Sequence, residues 1–515
     1  MTRHALALLL AALGAVGAVA QAPPEPQKKD EKPAEKKEPP PEVKETQSVT
    51  RHTMPLDGKQ LAYTATAGTL VLRDDKGKQR ASVFYVAYAL DGTKDPASRP
   101  VTFSFNGGPG SAAVWVQLGA FGPKKVKADD EGMPLPPPGQ LVDNPYSVLD
   151  VTDLVFIDPV GTGFSRPAPE VDAKQFHSLR GDIESVGEFM RLWSTRNNRW
   201  SSPKFIAGES YGTTRAAGLA LFLQNRYGMY LNGLIQISTI LNWQNEEINT
   251  GNDTAYVIHL PSYTAAAWYH RKLAADLQRD LRATLKEVEA FAVGEYASAL
   301  LQGSHLPDAA RRSIAEKLAR YTGLSADFIL RSNLRIHNGR FVKELLRSEG
   351  KTIGRLDMRF TGFDQDSAGE FAEYDPSSEA VGVGYVTLLN DHLRRTLKYE
   401  TDLIYEYSAG LWRNWTWDEN TNRYVNVAED LRRAMTRNPH LRVYFASGYY
   451  DLATPYFDTP FSVSHLGLPE SLAKNIQIGY FEAGHMMYIR KADHARFKKD
   501  VVEFIRSAMG SSAPQ

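Results

Sequence analysis

Ser210 stands in Gly208-Glu209-Ser210-Tyr211-Gly212, between the apolar run 204–207 and the helix-compatible run 213–224. A serine hydroxyl attacks an acyl carbon only when the backbone holds it clear and a base accepts its proton. A sharp strand-to-helix turn does the holding. Its backbone angles are strained, flanking glycines relieve the clash across it, and the next helix aims its positive end at the reacting centre. A second glycine cluster, Asn106-Gly107-Gly108-Pro109-Gly110-Ser111, directly follows the apolar run 101–105. Consecutive glycines there free backbone amides to point into a site, and Pro109 stiffens the turn. The amides of Gly108 and Tyr211 are the candidate donors to a developing oxyanion. A plain glycine turn is the bland alternative; a phosphate cradle fits worse, because no Lys-Ser or Lys-Thr pair closes the run.

The base and its orienting acid come from far downstream. Asp451 lies just past the apolar run 441–446, at the start of a polar loop, and His485 lies just past 475–481 in Glu482-Ala483-Gly484-His485-Met486. Each sits where a strand ends, the edge at which parallel sheets place ligands. His440, His465, His494 and Asp458 compete by proximity in sequence, but none immediately follows a buried strand. No H-E-x-x-H or similarly spaced set suggests zinc, so no metal and no cofactor are expected.

These residues need a scaffold. Alternating runs at 60–67, 69–73 and 80–90 predict an antiparallel meander. Short continuous apolar runs at 101–105, 153–157, 204–207 and 233–237 predict strands covered on both faces. An amphipathic stripe, Ile183, Val186, Phe189, Met190 and Trp193, lies between two of them. Alternation of strand and helix implies a largely parallel sheet. From 243 to 395 the strand signal fades into long helical stretches such as 269–301 and 308–321. Strands then return at 441–446 and 475–481, and a helix spans 491–509. With its elbow and its order of serine, acid and histidine, the chain resembles the α/β-hydrolases. The expected class is α/β, with a mixed, mostly parallel central sheet and an inserted helical cap. The boundaries read 48–242 and 396–510 for the core and 243–395 for the cap.

Several motifs together resemble the serine carboxypeptidases: residues 106–110, the segment Asp153-Leu154-Val155-Phe156-Ile157-Asp158-Pro159-Val160-Gly161-Thr162-Gly163-Phe164-Ser165, the Ser210 elbow, the Asp451 loop and Gly484-His485-Met486. They occur in that family's order. The resemblance implies that Asn106, Gly107 and Glu209 bind the free C-terminal carboxylate of a peptide, and that Met486 lines the pocket of the departing residue. A protonated Glu209 donates a hydrogen bond to such a carboxylate, whereas an ionised one repels it. There are departures. The family's tryptophan two residues before the asparagine is Ser104, its cysteine after the glycine loop is Ser111, and the second acid that pairs with the glutamate is replaced by Ala120.

Residues 1–20 carry Arg3, an apolar stretch and Ala18-Val19-Ala20, the pattern of a signal peptide, so a secreted or periplasmic location is expected. Residues 21–47 are rich in Pro, Lys and Glu and read as a disordered tether. The chain has 515 residues, no cysteine, and 60 basic residues against 60 acidic ones. Thiol chemistry and disulfides are thereby excluded, and charge gives no reason to expect nucleic acid or, once the signal is removed, a membrane partner. The expected partner is a peptide with a free C-terminal carboxylate. Other readings of the same residues are a proline aminopeptidase or esterase, a carboxypeptidase-like acyltransferase, and a non-catalytic envelope binding module.

Overall fold

The computed structural model describes residues 42–510 except 383, 418 and 419. The predicted signal peptide, 1–20, and most of the predicted tether lie outside the described residues. Residues 42–46, which composition assigns to the tether, run alongside the first strands. The Val71 amide donates to Glu45 Oε1 at 2.8 Å and the Thr46 amide to Thr69 Oγ1 at 3.0 Å.

The meander comprises β1 (Gln47–Leu56), β2 (Lys59–Arg73) and β3 (Gln79–Leu90), paired antiparallel. β1 escaped the sequence reading because most of its side chains are exposed or half-buried, which leaves little apolar alternation to see. The expected break at Gly68 does not exist. β2 runs through it, pairing Gly68 with Gln47 on one side and Tyr85 on the other. A Cβ there would stand 2.6 Å from the Thr46 carbonyl oxygen, so this glycine serves a close backbone approach rather than a turn.

The remaining strands are β4 (Val101–Phe105), β5 (Asp153–Ile157), β6 (Lys204–Ser210), β7 (Gly233–Thr239), β8 (Arg442–Gly448) and β9 (Ile476–Phe481). Across the sheet they lie in the order β1-β2-β3-β5-β4-β6-β7-β8-β9, with the short piece Arg166–Pro167 on β3 as the tenth strand. Every pair from β5 to β9 is parallel. β4 and β5 are buried along their whole length, as strands covered on both faces must be. One face packs Phe121, Tyr488, Phe497 and Phe504; the other packs Phe189, Trp193 and Leu219 from α1 (Leu179–Arg196) and α2 (Tyr211–Tyr227). This is the α/β-hydrolase fold. The C-terminal ends of β4, β6, β8 and β9 share one edge of the sheet.

A third apolar cluster joins helices after β7 to Tyr449, Tyr450 and Tyr456, which follow β8. The stretch 269–301 is not one helix. α3 (Thr254–Tyr269) ends where that stretch was expected to begin, and the next helix, Leu281–Phe291, starts after Asp280, whose side chain accepts from the Ala283 amide. That cap interrupts what periodicity alone had joined. α3 is buried on nearly every side and contains Pro261, so it shows no one-sided stripe.

Candidate active site

β6 delivers Ser210 to the sheet edge and α2 begins at the next residue. Ser210 has φ 60° and ψ −131°, a conformation that a non-glycine residue holds only under constraint from its surroundings. The constraint is backbone against backbone. A Cβ on Gly208 would lie 2.3 Å from the Gly212 oxygen, and one on Gly107 would lie 2.5 Å from the Tyr211 amide nitrogen. A larger residue at 208 would open the elbow itself, and one at 107 would force the glycine loop and the elbow apart. Gly108 has φ 106°, and the Gly108–Pro109 peptide is cis.

Buried polar groups brace this junction from behind. Arg215 on α2 donates to the Asn106 carbonyl at 2.8 Å and to Asp182 on α1 at 2.7 Å; the Tyr211 hydroxyl also donates to Asp182, at 2.9 Å. Arg215 and Asp182 are almost fully enclosed. The motif 153–165 acquires a function too. Asp158 accepts from the Ala113 amide at 2.8 Å, holding the segment after the glycine loop, and a Cβ on Gly163 would fall on its carboxylate. Burial pushes the Asp158 carboxyl up to about 7. Over both loops lies a distant segment: the Ala112 amide donates to the Tyr407 carbonyl at 3.1 Å, Ala409 to Gly110 at 2.8 Å, and Gly163 to Glu406 at 2.9 Å.

Asp451 and His485 come together. His485 Nδ1 lies 2.7 Å from Asp451 Oδ2, with Asp451 enclosed and the imidazole nearly so. Asp451 also accepts from the Ala453 amide, the Thr454 amide and the Thr454 hydroxyl, at 2.8, 3.1 and 2.8 Å. Its position is thus set by the loop it belongs to. Burial works against a charged imidazole and the Asp451 carboxylate works for it; the balance holds His485 above the ordinary histidine value. The loops carrying the pair extend the β8–β9 ladder, since Tyr449 donates to Phe481 and Tyr450 to Ala483, each at 3.0 Å. A segment from beyond the helices clamps both. The His485 amide donates to the Leu356 carbonyl at 2.7 Å, Leu452 donates to Arg355 at 3.1 Å, and the Gly484 amide donates to Asp357 Oδ2 at 3.0 Å. From the other side, the Ser238 hydroxyl donates to the His485 carbonyl at 2.6 Å.

Glu209 is buried beside the nucleophile strand's end. Asn106 Nδ2 donates to its Oε1 at 2.8 Å and the Tyr488 hydroxyl donates to its Oε2 at 2.6 Å. Burial pushes the Glu209 carboxyl up to about 7, against the lowering influence of His485, Tyr488 and Asn106. Met486 is buried in the core cluster that contains Tyr488. Ala120 sits in the turn Val116–Phe121, where its carbonyl accepts from Asn144 at 3.0 Å and faces His494 Nε2 at 2.9 Å. Ser104 is enclosed, with its hydroxyl unpartnered. Three of the four competing groups are occupied elsewhere: His494 by Ala120 and Lys125, Asp458 by Asn245 and Ser462, and His465 by the Phe461 carbonyl. Among the described residues no three histidine, aspartate or glutamate side chains could hold a metal ion, and no helix is long and apolar enough to cross a membrane.

Sequence reasoning missed Asp182, Arg215, Asp357 and Tyr488. Asp182 sits on a helix read only for its apolar stripe, and Arg215 on one read only as the run that follows the serine. Asp357 lies far from every motif, and Tyr488 is simply one aromatic among many near the C-terminus.

Comparison with known proteins agrees with this architecture. The family model described as serine carboxypeptidase matches residues 58–477, a span that includes Ser210 and Asp451 and ends before His485. Serine carboxypeptidase-like 11 of Arabidopsis thaliana is 29% identical over 137 residues, covering 26% of this chain and 30% of the relative. Serine carboxypeptidase-like 34 of the same plant is 31% identical over 151 residues, covering 28% of this chain and 27% of the relative. The chain thus aligns with about a third or less of the length of these curated relatives. Among solved structures, Kex1Δp, a prohormone-processing carboxypeptidase from Saccharomyces cerevisiae, superposes with a TM-score of 0.54 at 14% identity, over 86% of this chain and 91% of that one. With the family model spanning most of its length, the chain belongs to the serine carboxypeptidase family.

Proposed function

We propose that this protein is a serine-type carboxypeptidase that removes the C-terminal amino acid of a peptide through an acyl-enzyme on Ser210. The observation that carries the reading is the pairing of His485 Nδ1 with Asp451 at 2.7 Å on the same sheet edge as the constrained Ser210, with the buried Asn106–Glu209 pair beside it. With Nδ1 engaged by Asp451, Nε2 is the nitrogen left to accept the Ser210 proton. Ser210 Oγ attacks the last peptide carbonyl, and the amides of Gly108 and Tyr211 receive the oxyanion. His485 then returns the proton to the leaving amine, and water repeats the cycle to free Ser210. Protonated Glu209, with Asn106 and Gly107, holds the substrate's terminal carboxylate, and Met486 borders the pocket of the departing residue. The helical segment after β7 forms a cap over the residues on the acyl side. The leader at 1–20 supports export to the periplasm or beyond.

The test is a matched pair of substrates, an N-blocked dipeptide and its C-terminal amide. The wild-type protein is expected to release the terminal amino acid from the free acid and to hydrolyse the amide far more slowly. Ser210→Ala is expected to lower turnover by about 10⁵-fold or more with an unchanged circular dichroism spectrum. Wild-type rates from this variant, or equal rates on acid and amide, would overturn the reading.

A further inference from the structure

We propose that Tyr488 stands in the place of the missing second acid with the opposite chemistry: its phenol hydroxyl positions Glu209 and sets the proton affinity with which Glu209 receives the substrate's terminal carboxylate. This rests on the carboxypeptidase reading above and names a positioning residue that acts through Glu209.

Three observations lead there. Both oxygens of the Glu209 carboxyl face a donor, Asn106 Nδ2 at 2.8 Å and the Tyr488 hydroxyl at 2.6 Å. Through these two bonds Asn106, Glu209 and Tyr488 form one unit. Second, Tyr488 is fully enclosed, and its ring occupies space that small residues vacate: a Cβ on Gly119 would stand 2.5 Å from Tyr488 Cε2, and Ala120 is the next residue. Glycine at 119 is thus what admits the Tyr488 ring beside Glu209. Third, the chemistry of the neighbour is inverted. A carboxyl partner shares a proton with Glu209 and raises its affinity for it, as paired acids do. Burial and the Glu209 charge hold the Tyr488 phenol well above its ordinary value, so near neutrality it keeps its proton and can only donate. A donor favours the carboxylate form and lowers the affinity.

Other charged and titratable groups also face Glu209. His485 and Asp451 act on it from the loops after β9 and β8, and Tyr385 lies nearby on the helix Tyr385–Asp391. The hydrogen bonds that reach its carboxyl from described side chains are those of Asn106 and Tyr488.

Tyr488→Phe removes the donor and keeps the ring against Gly119. The experiment measures kcat/KM against pH on the N-blocked dipeptide and its amide, for the wild type, Tyr488→Phe, Glu209→Gln and the double variant. Losing a donor to the carboxylate raises the proton affinity of Glu209, so the alkaline limb for the free acid is expected to move up by about one pH unit. Glu209→Gln and the double variant are expected to share one profile, because a glutamine cannot titrate. Should Tyr488→Phe not fold, Tyr488→Met, also without a donor, is expected to give the same shift. If the wild type prefers acid over amide and the alkaline limb stays within about 0.2 pH unit in the tyrosine variant, the role of Tyr488 is wrong while the carboxypeptidase reading stands. If acid and amide are cleaved alike, Glu209 is not the carboxylate site and both fall.

Discussion

Glu209 and His485 lie near enough to feel each other's charge: the glutamate raises the imidazole's proton affinity, and the imidazole lowers the glutamate's. The proposed reaction needs opposite states of the two, a neutral His485 to act as base and a protonated Glu209 to hold a carboxylate. His485 is held above the ordinary histidine value and Glu209 titrates at about 7, so the productive window for free-acid substrates is narrow and near neutral. Glu209→Gln is expected to widen it on both sides. The permanently neutral amide stays competent as pH rises. His485, freed of one negative neighbour, loses its proton at a lower pH, so activity also persists further into acid. A kcat/KM profile unchanged on the alkaline side would remove Glu209 as the titrating group. Much of this site could be read from residues alone, because Ser210, Asp451 and His485 each follow a short apolar run and each sits in a small polar motif. Tyr488 could not. Its significance depends on Gly119 carrying no side chain where the Tyr488 ring lies, and only three-dimensional packing brings those positions together.

The central strands announced themselves because burial on both faces demands unbroken apolar runs, and β4, β5 and β7 fall where those runs do. β1 and α3 did not, one being too exposed and the other too evenly buried to show a period. The clamp formed by residues 355–358 was equally hidden. It touches the acid and base loops through main-chain groups, and main-chain bonds leave no trace in residue type. Asp357 is the exception: it accepts from the Gly484 amide at 3.0 Å and pairs with the buried Arg359 at 2.7 Å. Asp357→Ala leaves the buried Arg359 guanidinium only the exposed Glu131, at 3.3 Å, with an expected loss of about 3 kcal/mol of stability. It also frees the loop that presents His485, so kcat is expected to fall more than KM changes. A chemical-denaturation curve and steady-state kinetics on the same variant check both; unchanged kcat would show that the clamp only stabilises.

On the scale of the whole molecule, one buried ion cluster stands at the strand ends away from the proposed chemistry. At the start of β5, Asp153 pairs with Arg99 and Arg199, each at 2.7 Å and all largely buried. The reactive groups stand at the other ends of the strands. Asp153→Ala is expected to cost about 3 to 5 kcal/mol, since it leaves two largely buried cations without a counter-charge, while kcat/KM of the folded fraction stays at the wild-type value. A large loss of specific activity with retained stability would contradict this division. The pairing of β8 with β9, and of their loops beyond the ladder, has a consequence for biosynthesis. The alcohol at position 210 is translated well before its proposed proton acceptor at position 485. A nascent or truncated product that stops short of position 485 therefore lacks the proposed base, and the proposed peptidase stays inert towards its neighbours until β9 and the loop after it have been made.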